Sequence, residues 1–405
     1  MRKVKLSNCG NYILSPKISS NDLTCENYIT TDNMLPNKAG VVDAENVPQN
    51  ISVTQYLKND ILLSNIRPYF KKIWLAEFNG GCSADVLVFR TSSDYDSTYI
   101  KYCLSQDSFF AYDMAGSKGS KMPRGDKNHI LNFELFDYDL KTQKDIGNLL
   151  LSIDKKIKLN DKINLELENI AKTLYDYWFV QFDFPDENER PYKSSGGAMV
   201  YNEVLKREIP VNWANGTLSD ISNTQTGYAF KSSEWKEEGH PVLTIKVIEN
   251  NSVNMLEASY IENYKEKYEK YSVNNGNIIL AMTGNTIGKI GIIASDIKNI
   301  LINQRVCIYK TNYTDIAYLY FNLLSEGIQN KIWQIGQNSS QPNIIEEQLK
   351  QLPIVLPPKE LLNKYNKISS HSFAKIVNNN IENQQLSKLR DFLLPMLMNG
   401  QVTIQ

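Results

Sequence analysis

The sequence predicts an α+β protein with two mixed α/β domains in tandem repeat. Each domain is followed by a long helix, and the two helices pair as a coiled coil. Three observations carry this. The 405-residue chain repeats once, each copy opens with β-rich runs and turn signals, and each copy ends in a heptad-spaced segment. The repeat offset is near 219 residues: it carries Lys156-Ile157 onto Lys375-Ile376, Asn160 onto Asn379, Asn164 onto Asn383 and Leu167 onto Leu386. It also carries Tyr99 onto Tyr318, Leu104 onto Leu323 and Pro123 onto Pro342. With small shifts, Asp60-Ile61-Leu62-Leu63 matches Asn277-Ile278-Ile279-Leu280.

Within each copy the elements follow from local pattern. Short apolar runs at 60–64, 73–77, 86–90, 278–282 and 305–310 read as strands, and Asn79-Gly80 and Asn275-Gly276 mark tight turns. From Ile146 the period changes. Apolar or small residues fall at 146, 150, 153, 157, 167, 171 and 174, with Asn160 and Asn164 in the same series. That alternation of four and three is a heptad seam, and a buried Asn in such a seam fixes register and partner number. The second copy of the seam is weaker, with Tyr365, Ile376, Leu386 and Leu393 around Asn379 and Asn383, and Pro395 and Asn399-Gly400 are expected to end it. Between the copies, Pro, Gly, Ser and charged residues from Phe184 to Gly197 read as a linker. The expected organisation is therefore 1–140 first domain, 141–183 first helix region, 184–212 linker, 213–355 second domain and 356–405 second helix region.

Composition narrows function. With 44 Lys and Arg against 45 Asp and Glu, the chain is not a generally basic, charge-coated nucleic-acid binder; a DNA surface would need segregated charge. No apolar run is long enough to span a membrane and the N-terminus has no signal-peptide pattern, so a cytoplasmic location is expected. The 5 Cys and 3 His are scattered, without the spacing of a disulfide framework or a metal site, and no metal is expected.

Catalytic motifs fail on spacing. Gly284-Asn285-Thr286-Ile287-Gly288-Lys289-Ile290 resembles a phosphate loop, but its glycines are too close and Ile290 stands where a Ser or Thr is needed. The paired carboxylates Glu166/Glu168, Asp183/Asp186 and Glu346/Glu347 fall on a helix face expected to be solvated, in the linker and at a helix start, where charge is ordinary. No catalytic residue is expected. What remains are basic and amide clusters at matching places. Arg67, Lys71 and Lys72 follow a strand, and Lys118, Lys121, Arg124 and Lys127 lie in or beside a Gly/Ser-rich loop; in the second copy, Thr283 to Lys289 and Gly336 to Asn343 take those places. Arg and Lys neutralise phosphates, and Arg, Asn and Gln can pair with purine edges. Solvated loops with no ligand have the same composition.

The chain resembles the specificity subunits of type I restriction-modification systems over nearly its whole length. Ile153 to Asn160, Leu167 to Leu174 and Tyr175 to Phe182 are similar to the family's central conserved helix and its exit. Leu356-Pro357-Pro358 and Glu382 to Asp391 are similar to its second conserved region. Gly227-Tyr228-Ala229-Phe230-Lys231, Ile278 to Lys289, Asn303-Gln304-Arg305-Val306 and Gln341-Pro342-Asn343 look like hallmarks of its target recognition domains. The first domain departs, with Ser64-Asn65-Ile66-Arg67-Pro68 in place of the Met-Thr-Gly-Asn-Thr-Ile-Gly pattern.

The resemblance implies two target recognition domains separated by an antiparallel pair of conserved helices. Each domain would read one half of a bipartite, asymmetric site in double-stranded DNA. Two copies of an adenine methyltransferase subunit would dock on the chain, and a translocase-nuclease restriction subunit would cut. S-adenosylmethionine would bind the methyltransferase, with no cofactor on this chain. The expected DNA contacts are Arg67, Tyr69, Lys71, Lys118, Ser120, Lys121 and Arg124 in the first domain. In the second they are Tyr228, Lys231, Thr283, Asn285, Thr286, Lys289, Arg305, Asn338, Ser339, Ser340 and Gln341. The seam residues Ile157, Leu167, Leu174, Trp178, Ile376, Leu386 and Leu393 are the expected partner contacts. The alternative of another class is a repeat-built protein-interaction scaffold without DNA contact. A self-sufficient methyltransferase would need a motif such as Asn-Pro-Pro-Tyr, and the only Pro-Pro pair is Pro357-Pro358.

Overall fold

The runs expected as strands are strands, and their alternation decides which core each side chain enters. The computed structural model describes residues 2–119, 121–311, 316–337 and 342–402. It divides into unit 1, Met1–Lys156 with Leu386–Gln405, and unit 2, Ile157–Gln385.

In unit 1 a four-stranded sheet runs in the order Gly10–Tyr12, Val86–Thr91, Ile61–Ser64, Ile73–Leu75. A second has the order Lys17–Ser19, Ser52–Tyr56, Gly80–Cys82, Tyr28–Ile29. Successive strand residues point to opposite faces. Ile61, Leu63, Leu87 and Phe89 thus enter a core shared with Tyr99, Phe109 and Leu150, whereas Leu62 and Val88 enter one with Ile29, Tyr56 and Trp74. Helices Ser97–Cys103, Asp107–Gly116 and Lys127–Leu131 follow, and the strand pair Lys3–Lys5 with Glu134–Phe136 closes the domain.

Unit 2 repeats the plan with additions. Its six-stranded sheet has the order Ser222–Thr226, Val306–Thr311, Ile278–Ala281, Ile290–Ile292, Ser252–Val253, Ile248–Glu249, beside a five-stranded sheet. The central registers correspond: Ile61 pairs with Phe89 in unit 1, and Ile278 with Tyr309 in unit 2. The closing pair recurs as Ala214–Thr217 with Pro353–Leu356.

The long helices are Leu140–Tyr175 and Lys359–Met398, and the second continues through Pro395 to Met398 instead of ending at the proline. The seam asparagines pair across the helices in unit 2. Asn160 Nδ2 donates to Glu382 Oε2 at 2.8 Å and to Asn383 Oδ1 at 2.9 Å. Asn164 Nδ2 donates to Asn380 Oδ1, and Asn379 Nδ2 donates to Asn164 Oδ1, both at 2.8 Å. Ascending numbers on one helix meet descending numbers on the other, so the pair is antiparallel. In unit 1, Ile146 and Leu150 share a core with Leu394, Leu397 and Met398, and Arg390 Nη1 lies 2.9 Å from Asp154 Oδ1.

Two expectations need correction. Residues 184–212 do not form a bare linker. Met199–Asn202 and Arg207–Pro210 make a hairpin, Ile209 is buried, and Phe184 stacks on Tyr192 at 4.7 Å and on Trp213 at 5.0 Å. Those aromatics give the segment a reason to pack that its Pro, Gly and Ser content hides. Nor is Glu168 on a solvated face, since its Oε1 accepts from Tyr320 Oη at 2.6 Å. Among the described residues no helix is long and apolar enough to cross a membrane.

Candidate nucleic-acid interface

In unit 1 the strand Ile61–Ser64 delivers the chain to Asn65-Ile66-Arg67-Pro68. There it is stitched by main-chain hydrogen bonds to the Gly/Ser-rich loop. Arg67 N donates to Pro123 O at 2.8 Å, Gly125 N donates to Asn65 O at 3.1 Å, and Lys118 and Arg124 exchange two bonds of 2.9 Å. The two loops singled out from sequence are therefore one clamped platform. Tyr69 and Phe70 are exposed beside it, with ring centroids 4.7 Å apart.

The cations of this platform differ in their partners. Lys71 Nζ lies 2.9 Å from Asp107 Oδ1, Lys118 Nζ 2.9 Å from Asp126 Oδ2, and Arg124 Nη2 3.2 Å from Asp85 Oδ1. The hydrogen bond from Lys71 holds the Asp107 carboxyl below its ordinary range, and that from Lys118 does the same for Asp126. Lys121 is exposed, and Ser120 lies outside the described residues. Sequence reasoning missed Lys38, which shares Asp107 at 3.4 Å and whose main-chain N–H donates to Lys71 O at 2.9 Å. The turn signal Pro36-Asn37-Lys38-Ala39-Gly40 was the available clue.

Arg67 stands apart. Its backbone is left-handed (φ 51°, ψ 64°), which costs a residue with a Cβ roughly 1–2 kcal/mol. Its Nε is buried without a hydrogen-bond partner. Behind the platform, Asp113 is fully buried and neither oxygen has a partner. A Cβ on Gly125 would stand 2.5 Å from Asp113 Oδ1 and 3.0 Å from Asn65 Oδ1, so a larger residue there would have to displace the buried carboxyl.

Unit 2 builds the same platform from a different sequence. Gly284 N donates to Pro342 O at 3.0 Å and Ile344 N donates to Met282 O at 2.9 Å. Thr283 bridges Asn343 as Ile66 bridges Arg124. Gly284 is left-handed at φ 69°, as Arg67 is. Thr283 Oγ1 is buried without a partner, Thr286 Oγ1 donates to Thr283 O at 3.0 Å, and Asn285 and Lys289 are exposed. Met282 N donates to Arg305 O at 3.0 Å, which brings exposed Arg305 to the platform. Gln304 N donates to Tyr228 O at 3.0 Å, adding the segment that carries Tyr228 and exposed Lys231. Tyr228 packs on Phe230 and Tyr268, both at 5.0 Å, and its hydroxyl accepts from Lys267 at 3.1 Å, a cation missed in sequence. Asn338, Ser339, Ser340 and Gln341 lie outside the described residues.

Of the seam residues expected to hold a partner, two lie in the protein's own interior and five are partly buried. Trp178 and Ile376 are 5% and 1% exposed in the unit 2 core, and Leu167 and Leu174 pack against it. Leu393 packs on the unit 1 core, and Ile157 and Leu386 are partly buried. Pairing of the helices uses the seam and leaves other helix faces exposed. Leu159 and Ile170, eleven residues apart and therefore on one face, are exposed in unit 2, as are Leu389 and Phe392 in unit 1. Among the described residues no group of three or more His, Cys, Asp or Glu could hold a metal.

The fold is duplicated, with two clamped loop platforms and a paired-helix element, and the comparisons relate it to known proteins. The family described as "Type I restriction modification DNA specificity domain" matches residues 210–390. The Type I restriction enzyme MjaIX specificity subunit of Methanocaldococcus jannaschii is 24% identical over 76% of this chain and 70% of its own length. The HindI specificity subunit of Haemophilus influenzae is 22% identical over 93% of this chain and 94% of its own. The crystal structure of a type I restriction-modification S subunit from M. genitalium shares the fold, with a TM-score of 0.60 at 16% identity over 98% of this chain and 96% of that one. Residues 210–390 thus match the DNA specificity domain of type I systems, and the chain as a whole is similar to type I restriction enzyme specificity subunits.

Proposed function

We propose that this chain reads a bipartite, asymmetric site in double-stranded DNA, one half with each platform, and is itself non-catalytic. The observation that carries the reading is the duplicated clamp: the same main-chain bonds hold loops of different sequence in the two units. Identical scaffolds with different side chains suit two unlike half-sites. Phosphate contacts from Lys71, Lys118 and Lys121 would supply affinity, and base-edge contacts would supply sequence. Two copies of a methyltransferase subunit, carrying S-adenosylmethionine, would dock on the exposed faces of the long helices, and a restriction subunit would join the complex. Extrusion of the target adenine and methyl transfer would fall to the partner.

Replacing residues 1–140 with those of another member of the family tests this. The methylated motif of the chimera should change in one half only. A change in both halves would refute independent reading, and a chimera and parent that select no DNA would favour a protein-only scaffold.

A further inference from the structure

We propose that Arg67 is the residue through which unit 1 demands a guanine in its half of the site; this rests on the DNA-reading function above. Four observations converge on this side chain. It occupies a left-handed backbone position where the equivalent residue of unit 2 is Gly284. The clamp needs only the main-chain N–H of that position, which both residues supply to Pro123 or Pro342. Nothing in the scaffold therefore calls for an arginine there, and the next residue, Pro68, narrows the backbone further.

The third observation is the missing partner. Lys71, Lys118 and Arg124 on the same platform are each engaged by an aspartate. Among the described residues the Arg67 guanidinium has no ion pair or hydrogen bond, and its Nε is cut off from water as well. The fourth is chemical fit. A guanidinium offers paired donors in a rigid fork, and guanine alone among the bases presents two adjacent acceptors, O6 and N7, in the major groove. A local strain together with an unmet donor is what a base contact would repay. Unit 2 has no side chain at this station, so the guanine requirement belongs to one half-site only.

The test uses the assembled complex of this chain with its partner subunits, selecting from DNA with randomised half-sites, with wild type, Arg67→Gly, Arg67→Lys and Lys118→Ala compared. Arg67→Gly should abolish the preference for guanine at one base pair, a loss of roughly 5- to 150-fold in discrimination. Its melting temperature should be no lower than wild type, because glycine fits the left-handed backbone. Arg67→Lys keeps the charge without the fork and should lose most of the same preference. Lys118→Ala should weaken binding to all sequences and leave the selected motif alone. An Arg67→Gly complex that selects the wild-type motif, or one altered at a base other than guanine or in both half-sites, overturns the inference. A destabilised Arg67→Gly chain that keeps its guanine overturns it too, by making Arg67 structural. If wild type enriches no sequence, the DNA-reading function itself fails and this inference falls with it.

Discussion

Asp113 gives a stability test whose sign follows from burial. Its carboxyl lies behind the unit 1 platform, fully buried, with neither oxygen hydrogen-bonded. Burial pushes its pKa up to about 6, against a downward pull from His129. In the unfolded chain an aspartate titrates near ~3.9. The folded state therefore holds the proton more tightly than the unfolded state. Below pH ~4 both states are protonated and the burial has no ionic cost. As pH rises from there to about 6, the unfolded state ionises freely and stability is lost. Above about 6 the folded state carries a buried charge, and the loss is complete. A gap of about 2 in pKa corresponds to ~3 kcal/mol. Asp113→Asn keeps the shape and removes the charge. It should stabilise unit 1 at pH 7.5 by up to ~3 kcal/mol and by only about 1 kcal/mol at pH 4.5. Urea unfolding at the two pH values, with hydrogen exchange of the helix Asp107–Gly116 as the local probe, measures this. A variant-to-wild-type difference that is the same at both pH values would refute the argument, because it would leave ionisation no part in the effect.

Four other outcomes are expected. Lys118→Ala should lower the salt dependence of DNA binding by about one counterion, read as the slope of log affinity on log salt. Asp107→Asn should raise affinity for any DNA by releasing Lys71 and Lys38 from a shared carboxylate; unchanged binding in a filter assay would place those lysines away from the phosphates. Asn164→Ala should cost about 1–3 kcal/mol in unfolding experiments, since it strips the amides of Asn379 and Asn380 of their partner. Ile170→Glu should abolish co-purification with the methyltransferase subunit at an unchanged melting temperature, and retained assembly would move the docking face elsewhere.

Periodicity made much of the fold legible. The unbroken apolar runs Ile61-Leu62-Leu63 and Ile278-Ile279-Leu280 marked central strands, and the four-three spacing from Ile146 marked the helix pair together with its asparagines. The same spacing misdirected the partner assignment: Trp178 and Ile376 were legible as a buried face, but a seam does not say whether its complement lies in the same chain. The packed segment after Phe184 was hidden because its few aromatics are spaced by Pro, Gly and charge, so no period reveals them. The clamp was illegible for a different reason. Its bonds run from main-chain N–H to main-chain carbonyl, and such bonds leave almost no trace in side-chain identity. That is why Ser64-Asn65-Ile66-Arg67-Pro68 looked like a departure from the second copy while taking the same backbone course.

A main-chain clamp also leaves one scaffold free to serve the two specificities proposed above. Pro123 and Pro342 contribute only a carbonyl, which proline retains, and positions 67 and 284 contribute only an N–H. The clamp thus constrains backbone shape at four places and leaves nearly every side chain on the platform open to change. Where a residue nonetheless works against the backbone, as Arg67 does at φ 51°, the clamp cannot be what selects it, since Gly284 meets the same demand at φ 69° without strain. Lys71 and Lys38 are left-handed too, at φ 52° and 65°, but both are held by Asp107. Backbone cost combined with an unmet buried donor is what singles out Arg67 in unit 1, with no side chain at the matching station of unit 2, and that asymmetry is what the proposed asymmetric site requires.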